Sequence, residues 1–254
     1  MRIDLNADVG EWTGDDPARA TDAALMALVT TVNIACGAHA GDATAMAITV
    51  DLAAFHGLAV GAHPGYPDRE GFGRRTLDLA PDELRATLVQ QLGSLADLCA
   101  SQDVTLTHVK PHGALYNAAA TDPDTAHAIA RAVREMDDQL AVFAPPGSAL
   151  LAAARESGLR GIPEGFGDRR YEPDRSLRPR TLEGALLGTP ELVASQAIHL
   201  ATRQGVTAVD GSWIDVPAET ICLHGDAPGV ISNARAVREA LDSVSVDVRR
   251  FDAP

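Results

Sequence analysis

Ile3-Asp-Leu-Asn-Ala-Asp8 alternates apolar and polar residues one by one, and Val9 continues the pattern. A period of two marks a β-strand, because successive side chains leave opposite faces. Asp4, Asn6 and Asp8 therefore share one face, and Ile3, Leu5, Ala7 and Val9 the other. An apolar face that packs on helices and a polar face that looks into a bore together describe a barrel strand. Short apolar runs recur along the chain at Val32–Gly37, Leu58–His63, Leu106–Lys110, Leu140–Ala144, Gly161–Phe166, Thr220–His224 and Val244–Val248. Segments of helical period separate them: Pro17–Thr30, Thr44–His56, Pro81–Ala100, Asp124–Met136, Ser148–Ser157, Pro190–Gln204 and Ser232–Leu241. In Pro81–Ala100, Leu84, Leu88, Leu92, Leu95 and Cys99 recur at three and four, with Pro81 suited to the first helical position. Strand–helix alternation implies parallel strands with right-handed crossovers. Roughly seven or eight such units favour a closed, TIM-like (βα) barrel over an open α/β sheet. No G-x-G-x-x-G follows the first strand, which also argues against a dinucleotide-binding sheet.

The chain of 254 residues is 46% hydrophobic, enough for one full core, and no linker or repeat divides it, so residues 1–254 are expected to form one domain. A formal net charge of −14 disfavours nucleic acid and anionic membranes as partners. No apolar run is long enough to span a bilayer, and no signal-peptide core precedes the first strand. Cys36, Cys99 and Cys222 are odd in number and lack C-x-x-C spacing, which fits a cytoplasmic protein without disulfides or thiolate zinc.

Lys110 is the only lysine, against 20 arginines, and it sits in His108-Val-Lys-Pro-His-Gly113. A compact ammonium fits where a planar guanidinium does not. Polar residues crowd the strand ends in Asp4-Leu-Asn-Ala-Asp-Val-Gly-Glu11, Asn33-Ile-Ala-Cys-Gly-Ala-His-Ala-Gly-Asp42, Gly61-Ala-His-Pro-Gly-Tyr-Pro-Asp68 and His224-Gly-Asp226. Active sites of such barrels gather at the C-terminal ends of the strands. Asp8, His39, His63, Lys110 and His112 are the expected catalytic groups, with the histidines as proton shuttles. Asn6, Glu11, Asn33, His224 and Asp226 are expected to contact substrate. Asp8, His39 and His63 also make a one-carboxylate, two-histidine set for a metal, but no H-x-x-x-H spacing supports it and no resident metal is expected. His108 lies deeper and suits a core role. Phe166-Gly-Asp-Arg-Arg-Tyr171, continuing to Arg180, is a cationic loop on an acidic chain, and Arg169 or Arg180 suits a substrate carboxylate. There is neither a P-loop nor a G-x-S-x-G elbow.

Together with Gly61–Arg75, His108–Asn117, Phe166–Arg180 and Cys222–Pro228, the first two of these motifs resemble the LamB/YcsF family, in consistent order from residue 1 to roughly residue 248. Asp174-Arg-Ser-Leu177 departs from it, lacking an expected glycine before the leucine. The resemblance implies a seven-stranded barrel like those of glycoside hydrolases and deacetylases. It also implies ATP-dependent opening of the lactam of 5-oxo-L-proline to L-glutamate, in a 5-oxoprolinase complex where the chain works with subunits B and C. ATP and Mg2+ would then be engaged mainly by those partners. The alternatives are a stand-alone metal-dependent deacetylase or amidohydrolase, and a non-catalytic member of the complex.

Overall fold

A computed structural model of the protein describes residues 1–226 and 229–251. Its elements in chain order are β1 (Arg2–Val9), α1 (Ala18–Met26), β2 (Thr31–Ala35), α2 (Ala43–His56), β3 (Ala59–His63), α3 (Pro81–Ser101), β4 (Leu106–Val109), α4 (Gly113–Thr121) and α5 (Pro123–Met136). There follow β5 (Ala141–Ala144), α6 (Ala149–Glu156), β6 (Arg160–Phe166), α7 (Pro190–Arg203), β7 (Gly205–Thr207), β8 (Trp213–Asp215), β9 (Thr220–His224), α8 (Val230–Ser243) and β10 (Asp247–Val248). Among the described residues, β1 to β6 and β9 pair in parallel, and β9 returns to β1 to close a seven-stranded barrel. Short β10 extends β1 at its N-terminal end, and β7–β8 form a separate antiparallel hairpin.

The parity of β1 is as the sequence implies. Ile3, Leu5, Ala7 and Val9 join the main core under the helices. Asp4, Asn6 and Asp8 enter the bore at successive heights, opposite Thr220, Cys222 and His224 of β9. Near the bottom, Asp4 accepts hydrogen bonds from Thr30, Thr31 and Thr220 hydroxyls. Burial raises its pKa against those bonds. Beside it, Ala59, Ala141, Phe143, Ile162 and Phe251 form a second apolar cluster. The middle is a hydrogen-bonded layer. Asn6 Nδ2 donates to Glu164 at 2.9 Å and to Thr220 at 2.8 Å, while Asn33 Nδ2 donates to Asn6 and Asp8, each at 2.8 Å. The His108 ring stacks on Phe143 at 4.2 Å, and its Nε2 lies 2.8 Å from Asn33 Oδ1. It is the expected core histidine, and burial lowers its pKa to about 3. Filling a bore with layered side chains leaves only its upper end for ligands.

Three expectations need adjusting. The strand at Val244–Val248 shrinks to Asp247–Val248, because Ser245 turns at φ 57 to leave α8. α1 ends at Met26 rather than reaching Thr30, whose hydroxyl is taken by Asp4. A helix that periodicity does not predict, α4 at Gly113–Thr121, follows β4 almost at once. Ala227 and Pro228, which end the last motif, lie outside the described residues.

Candidate active site

The strand ends open into a cavity of about 740 Å³ lined by residues from several βα loops. Lys110 follows β4 directly, its side chain 2% exposed. Its Nζ donates to Asp8 Oδ1 at 2.6 Å and to Cys222 Sγ at 3.1 Å, lies 3.6 Å from Glu164 Oε1, and sits 5.6 Å from the Phe166 ring centre. Burial works against its charge, but Asp8, Cys222 and Glu164 outweigh that and hold its pKa well above the ordinary range. The contacts to Asp8 and Cys222 fix the Lys110 side chain in place beside the Asp8 carboxylate. Burial would raise Asp8, yet the charges of His63 and Lys110 leave its carboxyl well below its usual value.

Next to this pair lies an imidazole cluster. His63 Nε2 is 3.4 Å from Asp8 Oδ2 and 4.0 Å from Glu11 Oε1. His112 Nδ1 is 3.0 Å from His63 Nε2 and 3.2 Å from Glu11 Oε1. His39 Nε2 is 3.2 Å from the same Glu11 oxygen, and its ring stacks on His112 at 3.8 Å. Burial lowers the pKa of His63, and that of His39 to about 4. Burial would raise Glu11, but the neighbouring His112 and His39 outweigh it and hold its pKa far down. Since α1 begins at Ala18, neither Asp8 nor Glu11 is spent on capping it.

The mouth is cationic. Arg74 and Arg180 share Asp226, the latter at 3.2 Å. Arg169, only 6% exposed, gives its guanidinium hydrogens to the carbonyls of Arg178 and Ala185. Burial and the neighbouring Arg180 lower its pKa to about 10. Gln196 of α7 steadies this stretch by donating to the Phe166 and Arg169 carbonyls, both at 2.7 Å. Arg175 adopts φ 75, a left-handed conformation that favours glycine, in the loop between Arg169 and Arg180.

Of the residues expected at the site, Asp8, Glu11, His63, Lys110, His112, Arg169, Arg180, His224 and Asp226 line the cavity. Asn6 and Asn33 do not. Both are fully buried in the layer below, where they fix Asp8 and Glu164 instead of meeting a ligand. His39 does not line the cavity but backs onto it through Glu11 and His112, and its Nδ1 is buried without a partner. His112 has both ring nitrogens engaged, Nε2 lying 2.8 Å from the Phe72 carbonyl, so the geometry offers it little freedom as a proton donor. His224 is oriented by Asp168, whose carboxylate lies 3.0 Å from both its Nδ1 and its backbone nitrogen, and not by Asp226.

Two further residues belong to the site although sequence reasoning passes over them. Glu164 hangs from β6 into the bore, with one oxygen near Lys110 and the other buried without a hydrogen-bond partner. Burial raises its pKa against the pull of Lys110. Its signal is a lone acid on the strand face shared by Ile162 and Phe166. Asp22 of α1 accepts from Gly10 N at 2.7 Å and Trp12 Nε1 at 3.0 Å, bracketing Glu11. Burial lifts its pKa from 3.8 to about 7. A carboxyl raised in the folded state imposes no penalty below pH 4, where both states are neutral. Stability then falls as the pH rises to 7 and levels off above, by about 4 kcal/mol. Denaturation midpoints across that range should show this slope flattened in Asp22→Asn relative to the native protein.

The family model for "LamB/YcsF family" matches residues 3–254. The chain belongs to the LamB/YcsF family. A family relative from Symbiobacterium thermophilum, named as the A subunit of 5-oxoprolinase, is 51% identical over 97% of this chain and 94% of its own length. The crystal structure of a lactam utilization protein from Thermus thermophilus superposes with a TM-score of 0.91 at 42% identity, covering 99% of this chain and 100% of that one. A GH113 β-1,4-mannanase shares the fold alone, with a TM-score of 0.55 at 12% identity over 96% of this chain and 100% of its own.

Proposed function

We propose that this LamB/YcsF protein is the ring-opening component of an ATP-dependent 5-oxoprolinase, working with partner subunits B and C. The observation that carries the reading is the buried Lys110 ammonium, held by Asp8 and Glu164 at the floor of a cavity with arginines at its mouth. The names of the relatives supply the substrate and the complex. A five-membered lactam is an unactivated amide and resists water. Transfer of the ATP γ-phosphoryl to the amide oxygen releases ADP and makes the ring carbon electrophilic. We assign that step, with its Mg2+, to the partners, because this chain has no P-loop. Water then adds to the ring carbon and the C–N bond breaks as the nitrogen takes a proton, leaving an acyl phosphate. A second water converts this to the carboxylate of glutamate and inorganic phosphate.

In this division of labour, Asp8 and His63 receive the proton from the attacking water. Lys110 neutralises the oxygen on which negative charge grows. Glu164, whose pKa burial raises and whose second oxygen is buried without a partner, is assigned to protonate the departing nitrogen in place of His112. Arg169 or Arg180 holds the substrate carboxylate. A cytoplasmic setting suits three free, buried cysteines, and no helix among the described residues is long and apolar enough to cross a membrane.

The test is glutamate release from 5-oxoproline, measured for this chain alone and with subunits B and C, each with and without ATP. Release only from the complete, ATP-supplied mixture is expected. Lactam or amide hydrolysis by the chain alone without ATP would replace the reading with a stand-alone amidohydrolase. Unchanged turnover after Asp8→Asn would make the chain a non-catalytic member of the complex.

A further inference from the structure

We propose that Glu11, His63 and His112 form an open binding site for a divalent transition-metal ion at the cavity floor. His63 Nδ1 lies 2.7 Å from the Lys110 carbonyl and His112 Nε2 lies 2.8 Å from the Phe72 carbonyl. A carbonyl only accepts, so each ring places an N–H there. In neutral rings the remaining nitrogens, His63 Nε2 and His112 Nδ1, then carry lone pairs, and they face each other at 3.0 Å. A carboxylate oxygen of Glu11 completes the triangle, 3.2 Å from one nitrogen and 4.0 Å from the other. Three electron-rich atoms in this arrangement call for a cation among them.

The geometry suits a metal ion. Ligand bonds of about 2.0–2.1 Å at tetrahedral angles place ligand atoms about 3.3 Å apart, and the three edges straddle that value. The His63 and His112 rings stand at 89° to each other, so their in-plane lone pairs can meet at one point. His39 cannot join them as the rings stand. Its plane lies within 6° of that of His112, and parallel stacked rings do not aim at a common atom. Instead His39 donates from Nε2 to Glu11 and orients the carboxylate, as the two backbone carbonyls orient the imidazoles. Such outer partners are a usual accompaniment of metal ligands.

Glu11, His63 and His112 all line the cavity, which leaves a coordination position open to water or substrate. Two imidazole nitrogens and a carboxylate oxygen suit zinc and its first-row neighbours. A second cluster of possible ligands, Asp8, Cys222 and His224, already has a cation, the Lys110 ammonium. Bound in the first cluster, a divalent ion would make water on its open position more acidic. The inference therefore rests on the hydrolytic reading and deepens its water-activating half, with His63 serving as ligand and Asp8 remaining as the base.

Binding is measured without turnover. Chelator-stripped protein is titrated with Co2+ near neutral pH, followed by calorimetry and visible absorption, and then challenged with Zn2+. One equivalent per chain is expected, with the intense visible bands of four- or five-coordinate cobalt, lost when zinc is added. Glu11→Gln, His63→Asn and His112→Asn should each weaken binding by at least tenfold, and His39→Asn by roughly tenfold or more. Far-UV circular dichroism checks the fold of each variant. Should they fail to fold, imidazole nitrogen resonances of the native protein decide: zinc must shift one nitrogen of His63 and one of His112. Less than half an equivalent bound, only six-coordinate cobalt bands, or affinity unaltered by His63→Asn and His112→Asn would overturn the site. Glutamate release by a verified metal-free complex would leave the lactam reading standing while this metal role fell.

Discussion

Lys110→Met is expected to lower turnover of the reconstituted complex by roughly 10²–10³-fold, the usual loss when a preorganised oxyanion partner is removed. The same change should cost the fold about 3–5 kcal/mol, because it leaves buried charge uncompensated. Asp8 Oδ1 would lose its contact at 2.6 Å, and Glu164 its nearest cation at 3.6 Å. Urea denaturation and the glutamate-release assay measure the two effects. A double variant, Asp8→Asn with Lys110→Met, should recover much of the stability and none of the turnover, since it discharges both partners. Lys110→Arg should also fail, because the ammonium is enclosed by Asp8, Cys222 and Phe166 with no room for a fork. Near-native turnover in either Lys110 variant would remove the ammonium from the chemistry.

The second large effect is structural. Gly41 has φ 71, and a Cβ placed on it would lie 2.4 Å from the Gly10 carbonyl oxygen. The obstacle is backbone, so no side chain can turn aside to relieve it. Gly41→Ala combines a left-handed residue, about 1–2 kcal/mol, with overpacking of about 1–3 kcal/mol. A loss of roughly 3 kcal/mol in thermal or urea unfolding is expected. The strain falls on Gly10, whose N–H is held by Asp22 and whose neighbour is Glu11, so cobalt affinity should drop as well. A variant as stable as the native protein would show that the two loops are not locked together.

The barrel is legible because its strands carry their signal locally. Alternation in β1 separates the core face from the bore, and the same parity places His108 and Lys110 on one side of their strand. What parity cannot give is depth. Asn6 and Asp8 share a face, yet one is sealed in the bore and the other lines the cavity, since each step of two residues climbs a layer. Pairings across long loops leave no local trace either. Asp168 meets His224 across 56 positions, and Arg74 meets Asp226 across 152. Glu164 is easily overlooked because a single acid inside Arg160-Gly-Ile-Pro-Glu-Gly-Phe166 looks like an interruption of an apolar strand. Only closure of the barrel brings it to Lys110.

The burial of the single lysine also governs how the surface can be modified. With Lys110 sealed in the interior, its ε-amino group is closed to solvent in the folded barrel. Reagents that acylate amines should reach this interior amine only after the strands part. Conjugation to ε-amino groups, whether by acetylation or by isopeptide linkage, meets no accessible target on the folded protein. Opening of the barrel can thus be timed by mass spectrometry, as the moment an acyl group arrives on the Lys110 peptide.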